Sequence, residues 1–248
     1  MSVSVGHWRR RKPDAGTHEP RLAKTFLWAV TLLIAIVAVP GAARLAGNEA
    51  ELVELGLWAA IVAAVDLVPV RVWGSVSVSM SFPVTLAAGM IFLPTEAALI
   101  AFIGSFDPRE LRGGVSLAKS VFNRSQVAAS VMAGSALFHT LDGVILDWPR
   151  VLLPGAAALL LDAGVNFVLV ASAVSIEDRL APRGVFQKMF GASPLHYLAG
   201  YLLLGLLALP LAAAVAVGGV WALLLFLAPL VLAREMFRQT QQVLYATE

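Results

Sequence analysis

The sequence predicts an all-α, polytopic transmembrane helix bundle of about eight spans, and three observations carry that expectation. Hydrophobic residues make up 59% of the 248 and charged residues only 14%, with a mean hydropathy of +0.81; soluble domains carry about 25% charge. Apolar runs near the roughly 20 residues that cross about 30 Å of hydrocarbon recur along the chain. The basic residues also segregate between alternate loops, as cytoplasmic loops collect Lys and Arg. Disorder, a coiled coil and a collagen-like chain are excluded by the same composition. With no Cys there is no disulfide framework, thiolate metal site or cysteine nucleophile, and only four His remain.

The first apolar run is Thr25–Gly47, preceded by a basic tail over residues 1–24 that contains Arg9, Arg10, Arg11 and Lys12. A basic start, an apolar stretch and Pro40-Gly41-Ala42-Ala43 also fit a cleaved signal peptide. The long basic region and the continuing apolar run favour a retained span. The basic tail then reads as a topology anchor that can touch anionic lipid, with no nucleic-acid partner expected. Glu51–Val70 is the second run. The third, Gly74–Phe106, is divided into two arms by Pro94. Ser116–Leu141 and Val151–Ile176 follow, and Leu195–Ala233 is long enough to be split around Val217-Gly218-Gly219. Residues 25–233 thus form the bundle, and 234–248 a cytoplasmic amphipathic tail.

With the N-terminus inside, fourteen basic residues fall on the cytoplasmic side. They are the four of the tail cluster with Arg21, Lys24, Arg71, Arg109, Arg112, Arg179, Arg183, Lys188, Arg234 and Arg238. Only Arg44 and Arg150 fall outside, and Lys119 and Arg124 lie within the fifth segment, which accounts for all 18. Both termini are therefore expected in the cytoplasm, with the chain in the cell's inner (cytoplasmic) membrane. A six-span version, with the Pro94 hairpin re-entrant, has the same charge bias.

Two stretches could carry chemistry. Over 74–82, Ser75, Ser77, Ser79 and Ser81 alternate with Val76, Val78, Met80 and Phe82, a strand-like period of two. Strand backbone cannot face lipid unpaired, so this short extended segment is expected inside the bundle beside the fifth span. There its hydroxyls would line a ligand site; the alternative is an interfacial loop leading into a short helix. In the fifth segment, Lys119, Asn123, Gln126, Ser130 and Gly134 share one helix face. Arg124 points elsewhere and needs its own partner, since polar groups in hydrocarbon are expensive. Two acids lie within spans, Asp66 and Asp162, and the expected partner of Arg124 is Asp162, with Asp66 the second choice. Structural ion pairing is the plainer role for these four charges, and a ligand or proton site the sharper one. Asn166 shares the Asp162 face.

Catalytic motifs are absent: there is no HExxH, P-loop, GxSxG, or GxGxxG after a strand. No enzymatic activity, metal or cofactor is expected. Trp28, Trp58, Trp73, Trp148, Tyr197 and Tyr201 read as an interfacial aromatic belt.

GSVSVSMSFPVTLAAGMIFLPTEAALIAFIGSF, a basic turn, and KSVFNRSQVAAS with Phe122, Asn123 and Gln126 resemble the N-terminal membrane region of bacterial HD-GYP and GGDEF signalling proteins. VNFVLVAS, with Asn166, and LLLFLAPLVLAREMFRQTQQVL resemble later spans and the linker helix of those proteins. The resemblance covers about residues 50–245. The architecture is also similar to that of the substrate-binding S-components of energy-coupling-factor transporters. HD, GYP and GGDEF residues are missing from this chain, so cyclic-dinucleotide chemistry is not implied. The resemblance implies a sensor-like or adaptor module that binds a small ligand in the bundle and meets a protein partner through its C-terminal helix. Met236, Val243 and Leu244 give that helix a modest apolar face. A small-molecule transport subunit and a structural subunit of a larger membrane complex are the alternatives.

Overall fold

The computed structural model describes residues 21–45, 47–67, 70–73, 76–78, 81–107, 109–110, 113–190 and 194–225, with backbone alone at 21, 70–73, 76–78, 188–190 and 194–198. Most of the basic tail, the whole C-terminal tail, Ser75 and Ser79 lie outside the described residues, as does the side chain of Ser77.

Helix α1 (Arg21–Leu45) is followed by α2 (Glu49–Asp66) after a tight turn. Asn48 caps α2, accepting the Glu51 N–H at 3.3 Å while its Nδ2 donates to Glu51 Oε2 at 3.0 Å, which satisfies donors left free at a helix start. Next, β1 (Val70–Trp73) and β2 (Val76–Val78) pair antiparallel, Val70 with Val78 and Arg71 with Ser77, with an irregularity before Trp73. The extended segment expected over 74–82 is therefore shorter, and its strand backbone is satisfied by a second strand that the sequence reading missed.

Helices α3 (Ser81–Ile91) and α4 (Pro94–Gly104) form the hairpin divided at Pro94. Pro94 opens α4, where its missing N–H costs no hydrogen bond, and the Glu96 carboxylate accepts the Leu93 N–H at 3.0 Å. Every residue from Ser81 to Met90 is buried, as befits a helix apolar all round. Neighbours α2, α4, α5 (Leu117–Thr140), α6 (Leu152–Asp178), α8 (Pro194–Leu206) and α9 (Ala208–Gly218) all pack on α3. The hairpin tip is held by α5: Ser135 Oγ donates to Phe92 O at 3.3 Å, and His139 Nε2 lies 3.0 Å from the same oxygen.

α5 and α6 form the most extensive helix pair. The amphipathic α7 (Pro182–Phe190) follows α6 after Arg179, which adopts left-handed φ/ψ at the helix end. The break expected near Gly218 is present: α9 ends there, and Gly219 has φ +68°, a region that favours glycine. The α1 start, α2 end, α5 start and α6 end share one end of the bundle, here called proximal. Phe106 meets Asp66, Lys119 meets Glu177, and Ala23, Lys119 and Glu177 border one crevice.

Among the described residues, three helices are long and apolar enough to cross a membrane: Leu22–Leu45, Leu152–Asp178 and the run Ala199–Gly218 through α8 and α9. Their outward faces are apolar, with Leu22, Leu32, Leu33, Leu153, Leu160 and Val217 all exposed; contiguous apolar surface of this kind marks contact with lipid or another protein. Eight crossings are not supported. α3 and α4, at 11 residues each, rise about 16 Å, half the hydrocarbon thickness. α2 and α5, at 18 and 24 residues, are long enough to cross, but Glu49, Glu51, Glu54 and Asp66 on α2, and Lys119, Arg124 and the polar face on α5, set their composition apart from those three.

Candidate functional site

The site is built on the antiparallel register of α5 and α6. A Cβ added at Gly134 would stand 2.9 Å from Ala158 O and 3.2 Å from the Asp162 Cβ, so the missing side chain is what lets the helices approach this closely. One turn toward the proximal end, Ser130 faces the Asp162 carboxylate. A further turn on each helix brings Gln126 of α5 and Asn166 of α6 to the next level, since residues four apart share a face. At the proximal end the same register brings Lys119 Nζ to Glu177 Oε1 at 2.5 Å. The four inner side chains are buried, Gln126 3% exposed, Ser130 2%, Asp162 1% and Asn166 4%. The Lys119–Glu177 pair is partly exposed, at 31% and 25% of its side chains. A polar seam thus runs from a partly exposed end to the buried middle of α6.

Tyr201 of α8 closes the seam. Its hydroxyl donates to Asp162 Oδ2 at 2.9 Å, and its ring packs on Phe82 of α3 with centroids 4.2 Å apart. Gln126 Nε2 donates to Asn123 Oδ1 at 3.2 Å. Two buried acceptors, Asp162 Oδ1 and Gln126 Oε1, receive no hydrogen bond. A buried acceptor without a donor costs free energy, and two such oxygens on one seam form an electron-rich lining.

The other charges form a second cluster at the proximal end, and here the expected pairing is corrected. Arg124 does not reach Asp162: its Nη2 donates to Glu110 Oε2 at 2.6 Å, and its guanidinium lies 3.9 Å from the Phe106 ring centre. The loop after α4 folds back to supply both groups, a position the sequence spacing of Arg124 and Asp162 does not reveal. Asp66, the second choice, is 5% exposed and accepts the Phe106 N–H on Oδ2 at 3.1 Å, fixing that loop to the end of α2. In the same loop Arg109 Nε donates to Asp107 Oδ2 at 2.9 Å. Burial works to raise the Asp107 carboxyl, but the Arg109 hydrogen bonds and charge outweigh it and hold the carboxyl below its ordinary range. Arg109 is raised in turn, chiefly by its side-chain hydrogen bond to Asp107.

The chain matches no family model, no curated protein and no solved structure. The seam must therefore be read from its own residues. It unites Asn123, Gln126, Asp162 and Asn166 of the expected site. Lys119 stands at its proximal end, while Arg124 and Asp66 belong to the loop cluster. Ser81 is buried at the head of α3. The expected approach of residues 75–81 to Asn123 and Gln126 falls largely outside the described residues. Tyr201 was missed, having been assigned to an interfacial belt; its place deep inside an apolar run was the available signal. Trp58, also assigned to the belt, is fully buried and meets Phe92 edge to face at 5.5 Å.

Proposed function

We propose that the chain is a multi-pass inner-membrane module of the sensor or adaptor kind. In it the α5–α6 seam binds a small ligand or ion, and the C-terminal helix passes the resulting shift to a protein partner. The observation that carries this reading is Asp162, a carboxylate 1% exposed, bonded through one oxygen to Tyr201 and through the other to nothing. Ionisable groups within membrane spans are rare and mark binding or relay sites by default. A purely structural bundle has no need of a half-satisfied acid at its centre. In this proposal α1, α2, α5, α6, the α8–α9 run and the last apolar stretch cross, while the α3–α4 hairpin is re-entrant and both termini stay cytoplasmic. The half-length arms of that hairpin support this six-span count, and so does the enclosure of α3 by its neighbours.

A second reading, a small-molecule transport subunit, is favoured by one observation. Helix α3 is a half-length helix whose first turn packs on Tyr201, and interrupted helices flank the substrate sites of many transporters.

The absence of cysteine allows a clean test of the sensor reading. A spin label on Val243→Cys, in the full chain in nanodiscs, reports the environment of the C-terminal helix. Asp162→Asn and Asn123→Ala are each expected to change the label's mobility. Identical spectra in all three backgrounds would overturn the relay and favour a structural subunit.

A further inference from the structure

We propose that Asp162 is the acidic ligand of a site for one small monovalent cation, sodium or a proton, set between α5, α6 and α8; this rests on the seam being the binding element.

The charge count comes first. Asp162 is 1% exposed, and among the described residues no Lys, Arg or His forms an ion pair with it. A carboxylate sealed in this way must be neutralised, by a proton or by a bound cation, because an isolated buried charge is far too costly. Among the described residues, the elements packed on α6 supply no resident countercharge at this depth, and His139 lies at the far end of α5 against Phe92 O. On α5, Lys119 is held by Glu177 and Arg124 by Glu110. Helix α3 carries no ionisable residue. Lys24 and Arg44 lie toward the two ends of α1, Arg183 lies on α7 beyond the end of α6, and α8 contributes Tyr201.

The chemistry of the lining comes second. The groups gathered at Asp162 offer oxygens: its own unbonded Oδ1, the Ser130 hydroxyl facing it, and one turn along the seam the unbonded Gln126 Oε1. Oxygen-only donor sets suit hard cations. A divalent ion calls for more negative charge, and no cluster of three His, Asp or Glu side chains is present among the described residues. One carboxylate with neutral oxygens balances a single positive charge. Tyr201 acts as a positioning residue: by bonding Oδ2 it holds the carboxylate and leaves Oδ1 as the oxygen without a donor. The entry line is the seam itself, which opens at Lys119–Glu177 about 22 Å from Asp162 along α6.

The test uses the purified full chain in detergent, with thermal unfolding followed by tryptophan fluorescence in sodium chloride or choline chloride at equal ionic strength. At pH 8, sodium at ten times its Kd is expected to raise Tm by roughly 3–6 °C. Its affinity should fall by about tenfold per pH unit on acidification wherever one proton replaces one ion. If the proton is the sole occupant, sodium has no effect, but lowering the pH from 8 to 6 raises Tm in the wild type. Asp162→Asn, which carries no charge, should lose both responses; the histidines remain in that variant, so any histidine contribution stays visible. A wild type indifferent to sodium and to pH, or an Asp162→Asn variant that responds like wild type, would overturn the proposal. Should Asp162→Asn fail to fold, Tyr201→Phe decides: a several-fold weaker response supports the site, an unchanged one overturns it. A cation response without movement of the Val243 label would refute the relay and leave the site. A label that moves without any cation response would refute the site and leave the relay.

Discussion

Gly134→Ala and Gly164→Ala make the same chemical change on the two partner helices, α5 and α6, in opposite surroundings. At Gly134 the new Cβ would stand 2.9 Å from Ala158 O, about 0.5 Å inside ordinary contact, which begins at 3.4 Å. The clashing atom is helix backbone and cannot rotate aside, so α5 and α6 must part along the seam. Overpacking of this kind costs about 1–3 kcal/mol. At Gly164, which is exposed, nothing lies within 4 Å of the added atom. Replacing glycine by alanine inside a helix gains about 1 kcal/mol at either site. Gly164→Ala should therefore stabilise, while Gly134→Ala should be neutral to destabilising by about 2 kcal/mol. At roughly 2–4 °C per kcal/mol for a chain of this size, the Tm values should differ by at least about 2 °C, with Gly164→Ala the higher. Thermal melts of the two variants in one detergent make the comparison. A Gly134→Ala protein as stable as Gly164→Ala would show that the α5–α6 contact is not as close as described here.

Glu110→Gln leaves the Arg124 guanidinium over Phe106 without its counter-ion, at 19% side-chain exposure, and should cost about 2–3 kcal/mol in a melt, below the roughly 3–5 kcal/mol of a fully buried pair because this one is partly exposed; Glu110→Gln with Arg124→Gln should recover part of that loss. Asp107 has a folded-state pKa below its unfolded one. Its contribution is therefore present above the ordinary carboxylate range and is lost as the pH falls through the depressed value; Arg109→Gln should abolish that acid-side component of the stability–pH curve. Ser135→Ala removes one of two bonds to Phe92 O and should lower stability by about 1 kcal/mol, seen as a shift in midpoint. Reporter fusions at Glu248 and after Asp147 should report opposite sides of the membrane, and the same side for both would sink the topology.

Much of the fold was legible because the signals were local. Apolar length located α1, α5 and α6 within a few residues, Pro94 divided the hairpin, and Gly218-Gly219 ended α9, since each depends on backbone chemistry at one point in the chain. The span count was not legible, because hydropathy does not distinguish an apolar helix facing lipid from one enclosed by protein, and α3 is the second kind. The face from Asn123 to Gly134 followed from helical periodicity, and Asp162 with Asn166 from the same rule on α6. Which charge meets which is a tertiary matter: Glu110 and Glu177 sit in a loop and at a helix end, and only folding brings them to Arg124 and Lys119. Tyr201 was hidden for a related reason, as a tyrosine in an apolar run reads equally as an interfacial anchor and as a buried hydrogen-bond donor. The strand β1 was missed because Val70–Trp73, with Arg71 in its middle, has too short a pattern to separate from a loop.

On the proposed topology Asp162 lies in a polar seam sealed from water inside the membrane. Carbodiimide modification of the intact membrane-embedded chain, mapped by mass spectrometry, tests it most directly. An apolar carbodiimide, which partitions into the bilayer, should modify Asp162, while a water-soluble one should modify Glu49 and Glu51 and leave Asp162 untouched. Modification of Asp162 by the water-soluble reagent to the same extent as Glu49 and Glu51 would contradict the account.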